Sequence, residues 1–125
     1  MTAQKTDETD RAGDQDAHVN EVRLVGLVAA DPELREMPSG DTVWSLRVNV
    51  ERPPGKARDR QRVDSLDCSV WSGRIKQQVR SWSPGDLVEV TGTLHRRFFR
   101  SGGAVMSRVD VELTRGKVIR RAGSG

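Results

Sequence analysis

The stretch from Asp64 to Trp82, D-S-L-D-C-S-V-W-S-G-R-I-K-Q-Q-V-R-S-W, changes its period halfway along. Its first eight residues alternate as a strand does. Leu66, Cys68 and Val70 fall on one face, and Ser65, Asp67, Ser69 and Trp71 on the other. The first face is apolar and belongs in a core. The second is polar until its last member, and burial in the same core does not account for a Trp there. Trp71 is a candidate stacking platform. The alternative is a Trp that covers the sheet edge or sits in a subunit contact, since aromatic side chains also favour strands and interfaces. After Trp71 the apolar residues Ile75, Val79 and Trp82 recur at i, i+4 and i+7, one stripe of a short helix. Ser72 is placed to cap it, Pro84-Gly85 stops it, and Trp82 lies in the core. A strand running straight into one short helix, with strands on either side, is the centre of a small β-barrel.

Those flanking strands are legible. Asn20–Ala30, N-E-V-R-L-V-G-L-V-A-A, sets Val22, Leu24 and Val28 against Arg23, Val25 and Leu27. Both faces are largely apolar, so cover is expected from the core on one side and from a partner subunit on the other. Gly26 inside this strand marks a bulge or a barrel corner. Asp31-Pro32 breaks it, and D-P-E-L-R-E-M-P-S-G-D is read as a loop. The second strand, Val43–Glu51, directs Trp44, Leu46, Val48 and Val50 inward and leaves Arg47 and Asn49 on the face that Trp71 would share. The fourth strand is L-V-E-V-T-G-T-L-H-R-R-F-F-R, with Val88, Val90, Gly92 and Leu94 facing in. Ser101-Gly102-Gly103 turns it into a fifth, in which Val105, Ser107, Val109, Val111 and Leu113 share a face. The order strand, strand, strand, helix, strand, strand predicts an all-β chain: a five-stranded OB-fold barrel with one short helix between strands three and four.

Charge is distributed unevenly. Residues 1–18 hold Asp7, Glu8, Asp10, Asp14 and Asp16 against Lys5 and Arg11, which leaves a net +6 on the remainder of a chain whose overall charge is +3. Residues 1–18 read as a disordered acidic segment, 19–115 as the folded domain, and 116–125 as a basic flexible tail. A mean hydropathy of −0.64 agrees with a chain that is only partly folded. A basic body suits a polyanion. Its cations cluster in two places: Arg52, Lys56, Arg58, Arg60 and Arg62 on the loop R-P-P-G-K-A-R-D-R-Q-R-V, and Arg96, Arg97 and Arg100 in H-R-R-F-F-R. Phe98 and Phe99 point to opposite faces, so one ring is exposed among guanidinium groups. That composition suits single-stranded nucleic acid, with guanidinium for phosphate and ring for base.

The chemistry of catalysis is missing. Two histidines and one cysteine lie far apart, no phosphate-binding glycine loop is present, and Ser65 and Ser69 have no adjacent His. No metal, cofactor or enzymatic activity is expected. No apolar run approaches the ~20 residues of a membrane helix, and the N-terminus has no apolar signal core. The lone Cys68 fits a cytoplasmic protein.

N-E-V-R-L-V-G-L-V-A-A-D-P-E-L-R-E-M-P-S-G resembles the opening of bacterial single-stranded DNA-binding proteins. L-D-C-S-V-W-S resembles the Cys-x-x-Trp strand of their actinobacterial members, and G-D-L-V-E-V-T-G-T-L is similar to the family's G-x-x-V-x-V-x-G-x-L. The resemblance spans residue 20 to about 114. It implies an OB fold, single-stranded DNA as ligand, and homo-oligomers, tetramers or dimers. By resemblance Trp71 falls on a stacking position and Phe99 at or beside another, with Phe98 as the fallback. Pro54 and Ser65 stand where the family carries further aromatics, and Asp67 adds a negative charge to the face. With Arg47 the cations above complete the expected phosphate contacts. The family's Gly/Pro-rich extension ending in acidic residues and Phe, which recruits replication and repair proteins, has no counterpart here. This points to a short paralogue. The alternatives are an accessory OB protein of the primosomal type, working through protein contacts, and an OB scaffold without nucleic-acid binding.

Overall fold

The alternating segments become strands, and the i, i+4, i+7 stripe becomes the one α-helix among the described residues, 16–55 and 62–123 of the computed structural model. The elements are β1 (Val22–Val28), β2 (Glu33–Glu36), β3 (Thr42–Glu51), β4 (Val63–Val70), α1 (Arg74–Gln78) with a 3₁₀ turn at Val79–Ser81, β5 (Leu87–Ser101) and β6 (Ala104–Arg120). Hydrogen-bonded neighbours run β1-β5-β6-β4-β3-β2, and β1 also pairs with β3. The circuit β1-β5-β6-β4-β3-β1 is therefore a closed five-stranded barrel, the expected OB fold. No helix among the described residues is long and apolar enough to cross a membrane.

β2 lies outside that circuit and replaces part of the expected loop. Its four residues are exposed and mostly charged, so side-chain burial does not hold them there. The backbone does. The Met37 N–H donates to the Asp41 carbonyl and the Gly40 N–H to the Met37 carbonyl, both at 2.8 Å, and this turn lays Glu33–Glu36 along Thr42–Ser45. A four-residue charged strand carries no periodicity signal strong enough to read.

The barrel interior is filled by Val28, Leu46, Val48, Cys68, Val70, Val88, Val90, Val111 and Leu113, and Ile75, Val79 and Trp82 of the helical segment pack onto it. Trp44 rests against this cluster as a structural residue. Burial pushes the Cys68 thiol up to about 12, so it stays protonated and inert. Two glycines make the circuit possible. A Cβ on Gly26 would overlap the Asn49 carbonyl oxygen where β1 leaves β5 for β3, and a Cβ on Gly92 would overlap the Glu112 carbonyl at a register shift in the β5–β6 ladder.

Three local expectations change. Ser72 does not cap α1. The N-cap is Gly73 at φ 91, with no side-chain bond, because the strand-to-helix corner falls in the left-handed region. β6 runs on through residues 116–120, placed by sequence in the tail, because the start of β5 offers them a backbone partner. Beyond it, the buried Asp86 carboxylate accepts from the Ser83 N–H at 2.9 Å, the Ala122 N–H at 2.8 Å and Arg121 Nη1 at 3.1 Å. Those donors hold its carboxyl below the ordinary carboxylate value.

Finally, Leu94 is not a core residue; it is 49% exposed. The β5–β6 ribbon outruns the barrel, so Leu94–Val109 project as an arm. At the root of the arm the Asn20 side chain imitates a strand partner: Nδ2 donates to the Leu94 carbonyl and Oδ1 accepts from the Leu94 N–H, both at 2.8 Å. Val105 and Val109, which share a face with the buried Val111 and Leu113, are exposed for the same reason. The arm ends at Gly102 and Gly103, both with positive φ, the geometry of a tight hairpin.

Candidate functional site

Alternation places every second residue of β3, β4 and the arm on the outside of the barrel, and these outer faces meet at one cleft. Its volume is about 290 Å³, and it is lined by the outer sides of β2, β3 and β4 and by Trp71, Arg97, Arg108 and Asp110. Arg47 stands opposite Asp67 and Ser45 opposite Ser69 in the β3–β4 ladder, so the sequence-based pairing of these two strands holds. Trp71 is half-buried at the end of that face.

Arg97 reaches Trp71 from the root of the arm. Its guanidinium carbon lies 5.6 Å from the Trp71 ring centroid. Arg97 Nε donates to Asp110 Oδ1 at 3.0 Å, and Asp110 Oδ2 accepts from the Ser69 hydroxyl at 2.7 Å. Both Ser69 and Asp110 are buried. A buried carboxylate with two donors is a rigid anchor, so the orientation of Arg97 over the indole is set by its surroundings. Arg97 Nη2 stands 3.5 Å from Glu112 Oε1, out of hydrogen-bond alignment, and both it and Trp71 Nε1 are buried without a hydrogen-bond partner. His95 lies 3.2 Å from the same Glu112 oxygen.

A second ring–cation pair continues the first. Arg108, the cross-strand partner of Arg97, lies 5.5 Å from the Phe99 centroid, and Phe99 is the partner of Met106. Trp71, Arg97, Arg108 and Phe99 thus form one stripe along the cleft face. Phe98 points the other way, as alternation requires, and is 69% exposed. Phe99 therefore shares a surface with Trp71, and Phe98 does not.

Of the expected cations, Arg47 and Arg97 line the cleft. Arg47 sits 3.6 Å from Asp67, so that carboxylate is matched on the face it was expected to spoil. Arg52 forks onto Asp64 at 3.0 and 2.9 Å, and its N–H donates to the Arg62 carbonyl at 2.7 Å. It clasps the neck of the β3–β4 loop and holds the Asp64 carboxyl below its ordinary range. Arg62 is exposed at that neck, and Lys56, Arg58 and Arg60 lie outside the described residues. Arg96 and Arg100 fall on the far side of the arm, where Arg96 donates to the Ser107 hydroxyl at 3.1 Å.

The cleft is not the basic surface that net charge suggests. Arg35, Arg47, Arg97 and Arg108 line it with Asp31, Glu33, Asp67 and Asp110. Its capacity for a ligand lies in ring faces and oriented donors more than in surplus positive charge. Arg108 and Asp110 escaped the reading of single strands. Their signal was available: counting back from the Gly102-Gly103 turn pairs Arg97 with Arg108 and His95 with Asp110.

With this geometry in view, the sequence matches the single-strand binding protein family over residues 19–118. Similar curated proteins include a "Single-stranded DNA-binding protein" of Oceanobacillus iheyensis, 30% identical over 65% of this chain and 50% of its own length. One of Mycolicibacterium smegmatis is 33% identical over 74% of this chain and 59% of its own length. One of Deinococcus radiodurans is 30% identical over 82% and 35%. The chain thus spans about half the length of several curated relatives. A solved structure titled "Plasmodium falciparum SSB complex with ssDNA" shares the fold, with a TM-score of 0.69 at 19% identity over 85% of this chain and 97% of that one.

Proposed function

The chain belongs to the single-strand binding protein family, and from that premise we propose that it binds single-stranded DNA without sequence specificity. The proposed role is binding rather than catalysis, in replication, recombination or repair, and in the cytoplasm. The carrying observation is the stripe Trp71, Arg97, Arg108 and Phe99: two rings, each with a guanidinium over it, on the face that carries the open cleft. Rings stack with bases of any identity, and guanidinium groups meet both bases and phosphates. The relatives' shared name supports the same ligand. Homo-oligomers, tetramers or dimers, are part of the proposal: Val25 and Leu27 leave an apolar strip on the outside of β1. One observation favours the second reading, an accessory primosomal-type OB protein working through protein contacts: the balance of carboxylates and arginines in the cleft.

Titrating the protein's Trp fluorescence with oligo-dT separates these readings. Trp44 packs against the core and Trp82 is buried in it, so quenching by ligand reports on Trp71. Oligo-dT should quench it, and Trp71→Ala should weaken binding by about 1–3 kcal/mol with the circular dichroism spectrum unchanged. Undiminished affinity in Trp71→Ala would remove Trp71 from the interface, and no binding by the unmodified chain would leave the protein-contact reading.

A further inference from the structure

The arm has a second face that the cleft does not use. From Gly92 to Ser101 the β5–β6 ladder runs without a register shift, so Leu94, Arg96, Phe98 and Arg100 share one side with Val109, Ser107 and Val105, the partners of the last three. Here Phe98 is the most exposed large apolar residue of the arm, at 69%. Arg96 and Arg100 sit two residues to either side of it, each about 7 Å away along the strand. No residue of this face between Leu94 and Val109 is acidic. Arg96 has only a hydroxyl partner, and Arg100 has no ion pair among the described residues. The cleft side of the same strands is the opposite case: Arg97 is held by Asp110, with Glu112 beside it.

We propose that this back face is a second contact surface for single-stranded nucleic acid, with Phe98 stacking on a base and Arg96 and Arg100 meeting the flanking phosphates. The inference rests on the ligand proposed above and extends it to a separate surface. Charge selects the occupant. A polyanion supplies the counter-charge that this face lacks, whereas closing it on a second copy would desolvate two arginines from each chain with no carboxylate on the face to receive them. The two faces then divide the work. The cleft, where Arg47 and Arg97 are already ion-paired, supplies mainly stacking; the back face adds salt-dependent contacts of its own.

The test uses the full chain and oligo-dT at two salt concentrations, with Phe98→Ala, the double variant R96Q/R100Q, and Phe98→Ala combined with Trp71→Ala. Sedimentation of each protein is measured in parallel. Phe98→Ala should weaken binding about five- to a hundred-fold, and by the same factor in the Trp71→Ala background, as independent contacts do. R96Q/R100Q should flatten the slope of log affinity against log salt by about 1.4, at about 0.7 per single-strand phosphate. Unchanged affinity in Phe98→Ala together with an unchanged slope in R96Q/R100Q would overturn the inference. So would a smaller sedimenting species in Phe98→Ala, which would give the face to a second copy. If the unmodified chain does not bind oligo-dT at all, the proposed function fails and this inference with it.

Discussion

The β5–β6 ribbon is one pair of strands with two fates. In its barrel half, apolar residues at alternate positions disappear from solvent: Val88 and Val90 are fully buried and Leu113 is 2% exposed. In its projecting half the same alternation continues, and Leu94, Phe98, Val105 and Val109 stay in water. The strands stay paired through both halves, and the projecting half is the more regular, since both register shifts fall in the barrel half. The difference comes from what lies across from them. The barrel half faces β1, β3, β4 and the helical segment, whereas the side of the arm that carries Leu94, Phe98, Val105 and Val109 stays exposed among the described residues. Alternation therefore reports which residues share a face, and the neighbouring elements determine whether that face becomes core or contact surface.

Two leucines of the ribbon put the largest effect on this contrast. Leu113→Ala should cost about 2–5 kcal/mol, the range for emptying a packed site. Leu94→Ala should stay below about 1 kcal/mol, as exposed positions do. Urea unfolding of both variants measures it. Comparable losses would mean that the root of the arm is packed in solution, and the division between barrel and arm would break.

Asp110 sits at the junction of the two halves and ties Ser69 of the barrel to Arg97 of the arm. Asp110→Asn weakens a charge-assisted contact and should destabilise the fold by about 1.5–3 kcal/mol. It should also leave Arg97 with only Glu112, 3.5 Å away, as counter-charge and steepen the salt slope of oligo-dT binding by at most about 0.7. Lost stability with an unchanged slope would show that Arg97 stays on Trp71 without its anchor.

Acid should touch the barrel half more gently. Asp86 joins the end of the ribbon to the turn before β5, and its carboxyl lies below the ordinary 3.8 because the Ala122 and Ser83 N–H groups and Arg121 favour its charged form. A carboxyl lowered on folding contributes fully above its unfolded value, and the contribution drains as pH falls toward the folded one. Between pH 6 and pH 3 the native chain should therefore lose more stability than Asp86→Asn. Parallel thermal midpoints across that range would assign the acid sensitivity elsewhere, with Asp64 and Glu89, also lowered by arginine partners, next in line.

Much of this structure is legible before folding. The helical stripe Ile75, Val79 and Trp82, the inward set of β3, the corner at Gly26 and the opposed rings of Phe98 and Phe99 all follow from period and residue type. β2 is not legible, because four charged residues held by backbone pairing leave no pattern. Arg108 and Asp110 belong to the site through register, which becomes visible only when two strands are read together from their turn. Arg52, grouped by sequence with the loop cations, has Asp64 as its partner across the neck.

By itself the sequence determined the barrel plan, the phase of each strand, and the aromatic and cationic residues from which a site could be made. Tertiary structure alone decided which cations are already matched by carboxylates, that Phe99 joins the face of Trp71 while Phe98 faces away, and where the core ends. The reason is physical. Periodicity is set by backbone geometry within one strand, whereas burial and charge pairing depend on which atoms of other strands stand opposite, and in a barrel most of those are far away in sequence.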